Sequence, residues 1–225
     1  MFVCDGSAHC SGMGASIEPC HEKCALANDA SLSLIGGELV LIHARLLSNG
    51  RVAQNTLKGL EGRLAEVFPN SRIILDGQAI HPPSGCFNRS RGQYNSILIL
   101  QSLSNSVKRR DDERILAVES EDLYVCHLNF VFGEADPSSR IAVVSTYRLR
   151  PEFYGETPSP TLLFSRLVKE CIHELGHLFG LGHCPTPTCV MHFSNSILET
   201  DLKGPDFCPR CKFNLEERLR KDQYV

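Results

Sequence analysis

The stretch HELGHLFGLGHC, residues 173–184, contains three histidines, one glutamate and one cysteine within twelve positions. It ends a segment whose pattern predicts a long helix. Ser159 is placed to cap the start of this helix, and Pro160 occupies the first helical position, where the missing N–H costs nothing. Gly180 tolerates the left-handed backbone that a reversal at the other end requires. We therefore predict a helix from Pro160 to about Phe179.

The histidines in this stretch have the spacing of metal ligands. His173 and His177 are four residues apart, so their rings project from the same face of the helix and can bind one tetrahedral Zn²⁺. Gly180 lets the chain turn back and bring His183 to the same ion, and three protein ligands leave one position open, as in catalytic zinc sites. Glu174 is placed to act as general base, and then acid, on water that the zinc activates. The alternative is a helix with chance histidines, but the glycine and the third histidine add two independent constraints against it.

A second set of candidate ligands begins at the next residue. Cys184 follows His183 directly, and Cys189, Cys208 and Cys211 complete two thiol clusters, the last two in a CxxC pattern. Four thiolates suit a closed, structural zinc site, so we expect two zinc ions per chain, one catalytic and one structural. Fixing Cys184 would limit the movement of His183. The alternative is a pair of disulfides, Cys184–Cys189 and Cys208–Cys211.

The combined pattern H-E-x-x-H-x-x-G-x-x-H-C, C-x-M and C-x-x-C resembles the archaemetzincin (archaelysin) family of metzincin zinc metallopeptidases. The resemblance implies that Met191, in TCVMHF, forms a methionine turn beneath the histidine-bound zinc, and that the four cysteines bind a second zinc. It covers most of the chain from about residue 36. DLYVCHLNFVFGEAD (122–136) is similar to the edge strand of the family, and RGQYNS (91–96) to a segment that heads a family helix. Residues 1–31 depart from the family pattern.

The resemblance implies an α/β (α+β) metzincin-like fold. Its sheet is mixed and mostly parallel, with five strands and an antiparallel edge strand, and the active-site helix packs on it. The C-terminal part, about 184–225, carries the methionine turn and the structural zinc. Hydrophobic patterns predict strands at 38–47, 72–76, 114–118, 124–132 and 140–149. They also predict a helix that Asn55 caps and Pro69 ends, a helix over 93–107, and a helix within 213–222 with Asn214 and Glu217 as a capping box.

Composition excludes several other classes of protein. The chain has 225 residues and a net charge of −3, which gives no electrostatic reason to expect nucleic acid or an anionic membrane as a partner. The sequence lacks a stretch of about 20 apolar residues that could span a bilayer. Eleven cysteines and an N-terminus without the pattern of a signal peptide predict a cytoplasmic, reducing environment. We expect a Cys-rich extension over 1–31 and a single domain over 32–225, acting as a monomer.

These observations favour a zinc metallopeptidase that acts on peptides or proteins, with substrate bound along the edge strand. One alternative is a non-catalytic, zinc-stabilised protein-interaction domain, against which the intact Glu174 argues. Another is a zinc hydrolase of non-peptide substrates. The choice between endopeptidase and aminopeptidase stays open, since an aminopeptidase needs acidic groups for the substrate amine and Glu134 and Asp136 are only weak candidates.

Overall fold

The computed structural model describes residues 42–68, 71–110 and 112–222. The predicted N-terminal extension, and the first residues of the domain predicted to begin at residue 32, lie outside the described residues. None of the described helices is long and apolar enough to cross a membrane.

The strands of the described chain form a large and a small sheet. The order of the large sheet is β2-β1-β5-β8-β7, in which the first four strands are parallel and β7 runs antiparallel to β8 at the edge. The small sheet has the order β3-β4-β6. The predicted mixed, mostly parallel five-stranded sheet with an antiparallel edge strand is therefore confirmed. The strands are β1 (Ile42–Ser48), β2 (Ser71–Ala79), β3 (Phe87–Asn88), β4 (Gln93–Asn95), β5 (Glu113–Glu119), β6 (Leu123–Tyr124), β7 (Gly133–Asp136) and β8 (Ile141–Ser145).

Helices cover both faces of the large sheet, which explains why its inner strands are apolar without alternation. On β5, Leu116 and Val118 pack in the core that contains α1 and α3, whereas Ile115 and Ala117 pack in the core that contains α2. The helices are α1 (Gln54–Val67), α2 (Ser96–Ser106), α3 (Pro160–Leu178), α4 (Ile197–Leu202) and α5 (Pro209–Asp222).

The long helix α3 begins and ends as its sequence predicts. The Ser159 hydroxyl accepts a hydrogen bond from the backbone N–H of Leu162 at 3.3 Å, and Pro160 is the first helical residue. After Leu178 the chain reverses at Gly180, whose φ of 78° is left-handed. This reversal ends the helix and returns the chain towards it.

The prediction of one strand over 124–132 was wrong. β6 ends at Tyr124 and the edge strand begins only at Gly133, so residues 125–132 form an irregular segment between them. A side chain distant in sequence forms hydrogen bonds with its backbone carbonyls. Arg91 donates to the carbonyls of Leu128 and Asn129 at 2.9 and 2.8 Å. Tertiary contacts therefore override the strand propensity of this segment.

Three predicted helix starts were also wrong. Asn55 does not cap α1, which begins at Gln54 without a side-chain cap. α2 begins at Ser96, where Asn95 caps it, because the preceding residues pair in the small sheet. The capping box fails because α5 already begins at Pro209, which places Asn214 and Glu217 inside the helix.

Candidate active site

The structure brings the three predicted histidines together. His173 and His177 project from α3, and the reversal at Gly180 returns His183 to them, so that one nitrogen of each ring lies within 4.8 Å of those of the other two. His173 is buried, His177 is half-buried and His183 is exposed. The three rings therefore form a pocket that is open on the His183 side.

The hydrogen bonds of two histidines test whether this pocket fits a metal ion. Nδ1 of His173 lies 2.7 Å from the carbonyl oxygen of Val190, and Nδ1 of His177 lies 2.8 Å from that of Leu181. A carbonyl oxygen only accepts, so each Nδ1 donates and carries the hydrogen. Burial lowers the pKa of both rings, which favours the neutral form with a lone pair on Nε2.

The two Nε2 atoms of His173 and His177 then face each other at 3.1 Å. Two lone pairs at this distance repel each other unless a cation lies between them. Neutral imidazoles whose outer nitrogens are fixed by backbone carbonyls, as in His173 and His177, are typical of zinc ligands. The residues present therefore fit a zinc ion.

Glu174 is buried beside the histidines and faces the edge strand β7. A Cβ built on Gly133, the first residue of β7, would lie 2.7 Å from Cγ and Oε1 of Glu174. Burial raises the pKa of Glu174 well above its ordinary value, and the negative charges of Glu170 and Glu134 raise it further. A cation at the histidines would oppose this rise, since an opposite charge nearby favours the ionised carboxylate.

Met191 lies beneath the helix turn that carries the histidine ligands. It is fully buried, and its sulfur contacts the backbone at Gly176, where a Cβ would have no room. The carbonyl of Val190, next to Met191, holds His173. This placement fits the apolar floor that the family resemblance implies.

The four predicted cysteines also lie together. Their sulfur atoms are within 4.8 Å of one another, and all four are free thiols rather than the two disulfides of the alternative. Burial acts to raise the pKa of Cys184, but hydrogen bonds from Thr186 and from the thiols of Cys211 and Cys208 outweigh it and lower this pKa to about 6. Burial instead raises the pKa of Cys189 and of Cys211. A cation among the four sulfur atoms would oppose this rise by favouring the thiolates, and four thiols this close together fit a second zinc ion.

The histidines open into a cleft of about 730 Å³. It is lined by residues 133–135 of the edge strand, by residues 127–132 of the irregular segment, and by Phe193 and Asn195. The ring of Phe193 lies 4.9 Å from the ring of His183. Glu174 lines this cleft, whose volume is typical of a ligand-binding site.

Two residues that support this site were missed in the sequence. Gly133 permits the close approach of Glu174 described above. Lys203, whose side chain is fully buried, lies with Nζ 3.0 Å from Oε1 of Glu170 and donates to the carbonyl of His192 at 3.4 Å. It thereby ties α3 to the methionine turn. Lys203 belongs to no recognisable motif, so the sequence alone does not indicate that it links α3 to the methionine turn.

A histidine triad with a buried glutamate, in a cleft bounded by an edge strand, defines the class of a metallopeptidase. Residues 51–217 match the family described as Peptidase family M54. Archaemetzincins of Pyrococcus furiosus and Methanocaldococcus jannaschii are 49% and 44% identical to this chain, over 76% and 75% of its length and 90% of theirs.

Solved structures of related peptidases are also similar to this chain. The crystal structure of archaemetzincin from Methanopyrus kandleri matches with a TM-score of 0.70 and 38% identity, over 84% of this chain and 99% of that one. A zinc-dependent peptidase from Methanocorpusculum labreanum matches with a TM-score of 0.70 and 33% identity, over 76% and 99%. The chain belongs to peptidase family M54, the family of the archaemetzincins, and is a zinc metallopeptidase. The two alternative functions are not favoured.

Gly133→Ala is expected to lower peptide hydrolysis by about 10²-fold, because the added methyl group would push Glu174 out of place. Metal content should change little, and the melting temperature should fall by only a few degrees, the effect of overpacking at one buried side chain. Gly62→Ala is the matched control, since a methyl group there meets nothing within 4 Å. Hydrolysis of a mixed peptide library measures both variants. Equal activity of Gly133→Ala and the unmodified protein would show that the carboxylate does not need this space.

Proposed function

We propose that this protein hydrolyses peptide bonds at a zinc ion held by His173, His177 and His183, with Glu174 as general base and acid. The observation that carries the proposal is that the Nε2 atoms of His173 and His177 face each other at 3.1 Å, next to the buried carboxylate of Glu174. When bound there, zinc lowers the pKa of water and polarises the scissile carbonyl. The Glu174 carboxylate accepts the proton of the attacking water and delivers it to the nitrogen of the leaving amine.

The peptide substrate is proposed to lie along β7. This strand is last in the order of the large sheet, so among the described strands only β8 pairs with it. Its outer edge faces the cleft, where an extended peptide can add as a further strand and present its scissile bond to Glu174. This supports peptides and exposed protein segments as the substrate class.

A second, structural zinc at Cys184, Cys189, Cys208 and Cys211 completes the proposal, giving two ions per chain. Free thiols at these positions support a reducing, cytoplasmic compartment. One chain supplies every proposed ligand of both sites, so the proposal needs only a monomer. The net charge of −3 favours neither nucleic acid nor an anionic membrane surface as a partner.

Digestion of a mixed peptide library by the zinc-loaded protein tests the proposed function. We expect cleavage that stops with 1,10-phenanthroline and returns with added zinc. Parallel libraries with free and acetylated amino termini separate an endopeptidase from an aminopeptidase, because only the latter needs the free amine. A zinc-loaded protein that cleaves neither library would contradict the proposal.

A further inference from the structure

A row of aromatic rings continues the wall of the cleft onto the surface. Phe130 lines the cleft, and the guanidinium carbon of Arg148 lies 4.5 Å from the centre of its ring. The same guanidinium lies 4.7 Å from the ring of Phe153. The rings of Tyr147 and Tyr154 lie 5.5 and 5.0 Å from Phe153. We call these five residues the aromatic strip.

The aromatic strip is held in place by buried polar groups. Arg148 donates two hydrogen bonds, of 2.7 and 2.8 Å, to the carboxylate of Asp122, which is buried. The hydroxyl of Tyr154 donates to the backbone carbonyl of Arg148 at 2.9 Å. A surface that is fixed before it binds loses little conformational entropy on binding.

The outer rings of the strip are exposed to solvent. Tyr147, Phe153 and Tyr154 expose 38%, 41% and 38% of their surface. Aromatic rings supply much of the binding energy of protein interfaces, and an exposed group of them marks a contact surface. The position of this group, next to the cleft, indicates what it contacts.

The occupant follows from the continuity of the strip with the cleft. Phe130 belongs to both, and it lies three residues before Gly133, where the edge strand begins. Both the Phe130 and the Phe153 rings lie within 4.7 Å of the guanidinium carbon of Arg148, so the two rings are close together. A substrate extended along the edge strand advances about 3.3 Å per residue, so a few residues beyond Phe130 can reach Phe153. We propose that the aromatic strip binds apolar side chains of the substrate polypeptide at a distance from the scissile bond. This inference rests on the proposed function and deepens it.

The strip therefore makes the enzyme selective for long substrates with bulky apolar residues outside the cleft. Short peptides that fill only the cleft cannot reach Phe153 and Tyr147. The selectivity is a property of binding, because the strip supplies neither a proposed metal ligand nor the proposed base.

Peptide binding without cleavage tests the strip. The probes are two fluorescein-labelled peptides of equal length, one with leucine and phenylalanine at its outer positions on both sides, and one with serine there. Fluorescence anisotropy with zinc-loaded Glu174→Gln protein should give a Kd about tenfold lower for the apolar peptide. Adding Tyr147→Ser and Phe153→Ser should abolish that difference. Phe213→Ser, at a ring that is 61% exposed on α5, is the matched control and should keep it.

Several outcomes would overturn the inference. One is an equal Kd of the two peptides for protein with the unmodified strip. Another is a strip variant that loses affinity equally for both peptides. A third is a Phe213→Ser variant that loses the preference for the apolar peptide as the strip variant does. A strip that instead joins two copies of the chain would appear as a dimer in sedimentation that the strip variant dissociates. Because binding is measured without hydrolysis, absence of cleavage by the zinc-loaded wild-type protein would count against the proposed function alone.

Discussion

Glu174→Gln is expected to lower peptide hydrolysis by about 10²- to 10⁴-fold without loss of metal. Glutamine has the shape of glutamate but cannot accept a proton from water, so the variant removes the proposed base and leaves the three histidines in place. The buried position of Glu174 strengthens this expectation, because its carboxylate occupies the space in the cleft that Gly133 leaves open. Turnover of the peptide library and zinc content by mass spectrometry are the two measurements.

Glu134→Gln is the matched control for this experiment. Glu134 also lines the cleft, and burial raises its pKa as it does that of Glu174. If proximity of any carboxylate were enough, the two variants would lose similar activity. We expect less than about a tenfold loss in Glu134→Gln, the size of a minor electrostatic contribution. Full activity in Glu174→Gln would require a different proton acceptor.

The part of the site that follows local rules could be predicted from the sequence. The spacing of His173 and His177 uses only the period of a helix, and Gly180 only the backbone freedom of glycine. The four cysteines could be grouped because zinc restricts ligand type and number. In motifs of this kind, the types of the ligand residues and their spacing along the chain determine which side chains come together.

The parts that depend on distant contacts could not be predicted. The irregular segment 125–132 has the composition of a strand, but Arg91 and other distant side chains bind its backbone, and this moves the edge strand to Gly133. Lys203, which follows the end of α4, is buried where Glu170 on α3 provides an opposite charge. The aromatic strip joins Phe130, in the irregular segment, to side chains of the 3-10 helices Tyr147–Leu149 and Pro151–Tyr154. None of these arrangements leaves a periodic pattern in the sequence.

Cys211→Ser is expected to leave one zinc per chain and to lower the melting temperature by about 10 °C or more. Structural zinc sites supply folding free energy directly, and the loss of several kcal/mol produces a shift of this size in a domain of this length. Cys211 is buried among the other three thiols, so no other nearby side chain can take the place of its sulfur as a zinc ligand. Cys126→Ser, at an exposed thiol outside the cluster, is the control and should change neither quantity.

The same variant tests whether the two metal sites are coupled through the peptide bond between His183 and Cys184. The backbone N–H of Cys184 donates to the carbonyl of Met191 at 2.8 Å, and the carbonyl of Cys184 lies 2.9 Å from Nδ1 of His192, so the cysteine is held on both sides. Losing the thiol site should loosen this segment and weaken zinc binding at the histidines by about tenfold. Titration with a competing chelator, well below the melting temperature, measures that affinity. If one zinc is lost but the remaining ion binds as tightly as before, the sites are independent and the cysteines stabilise only the fold.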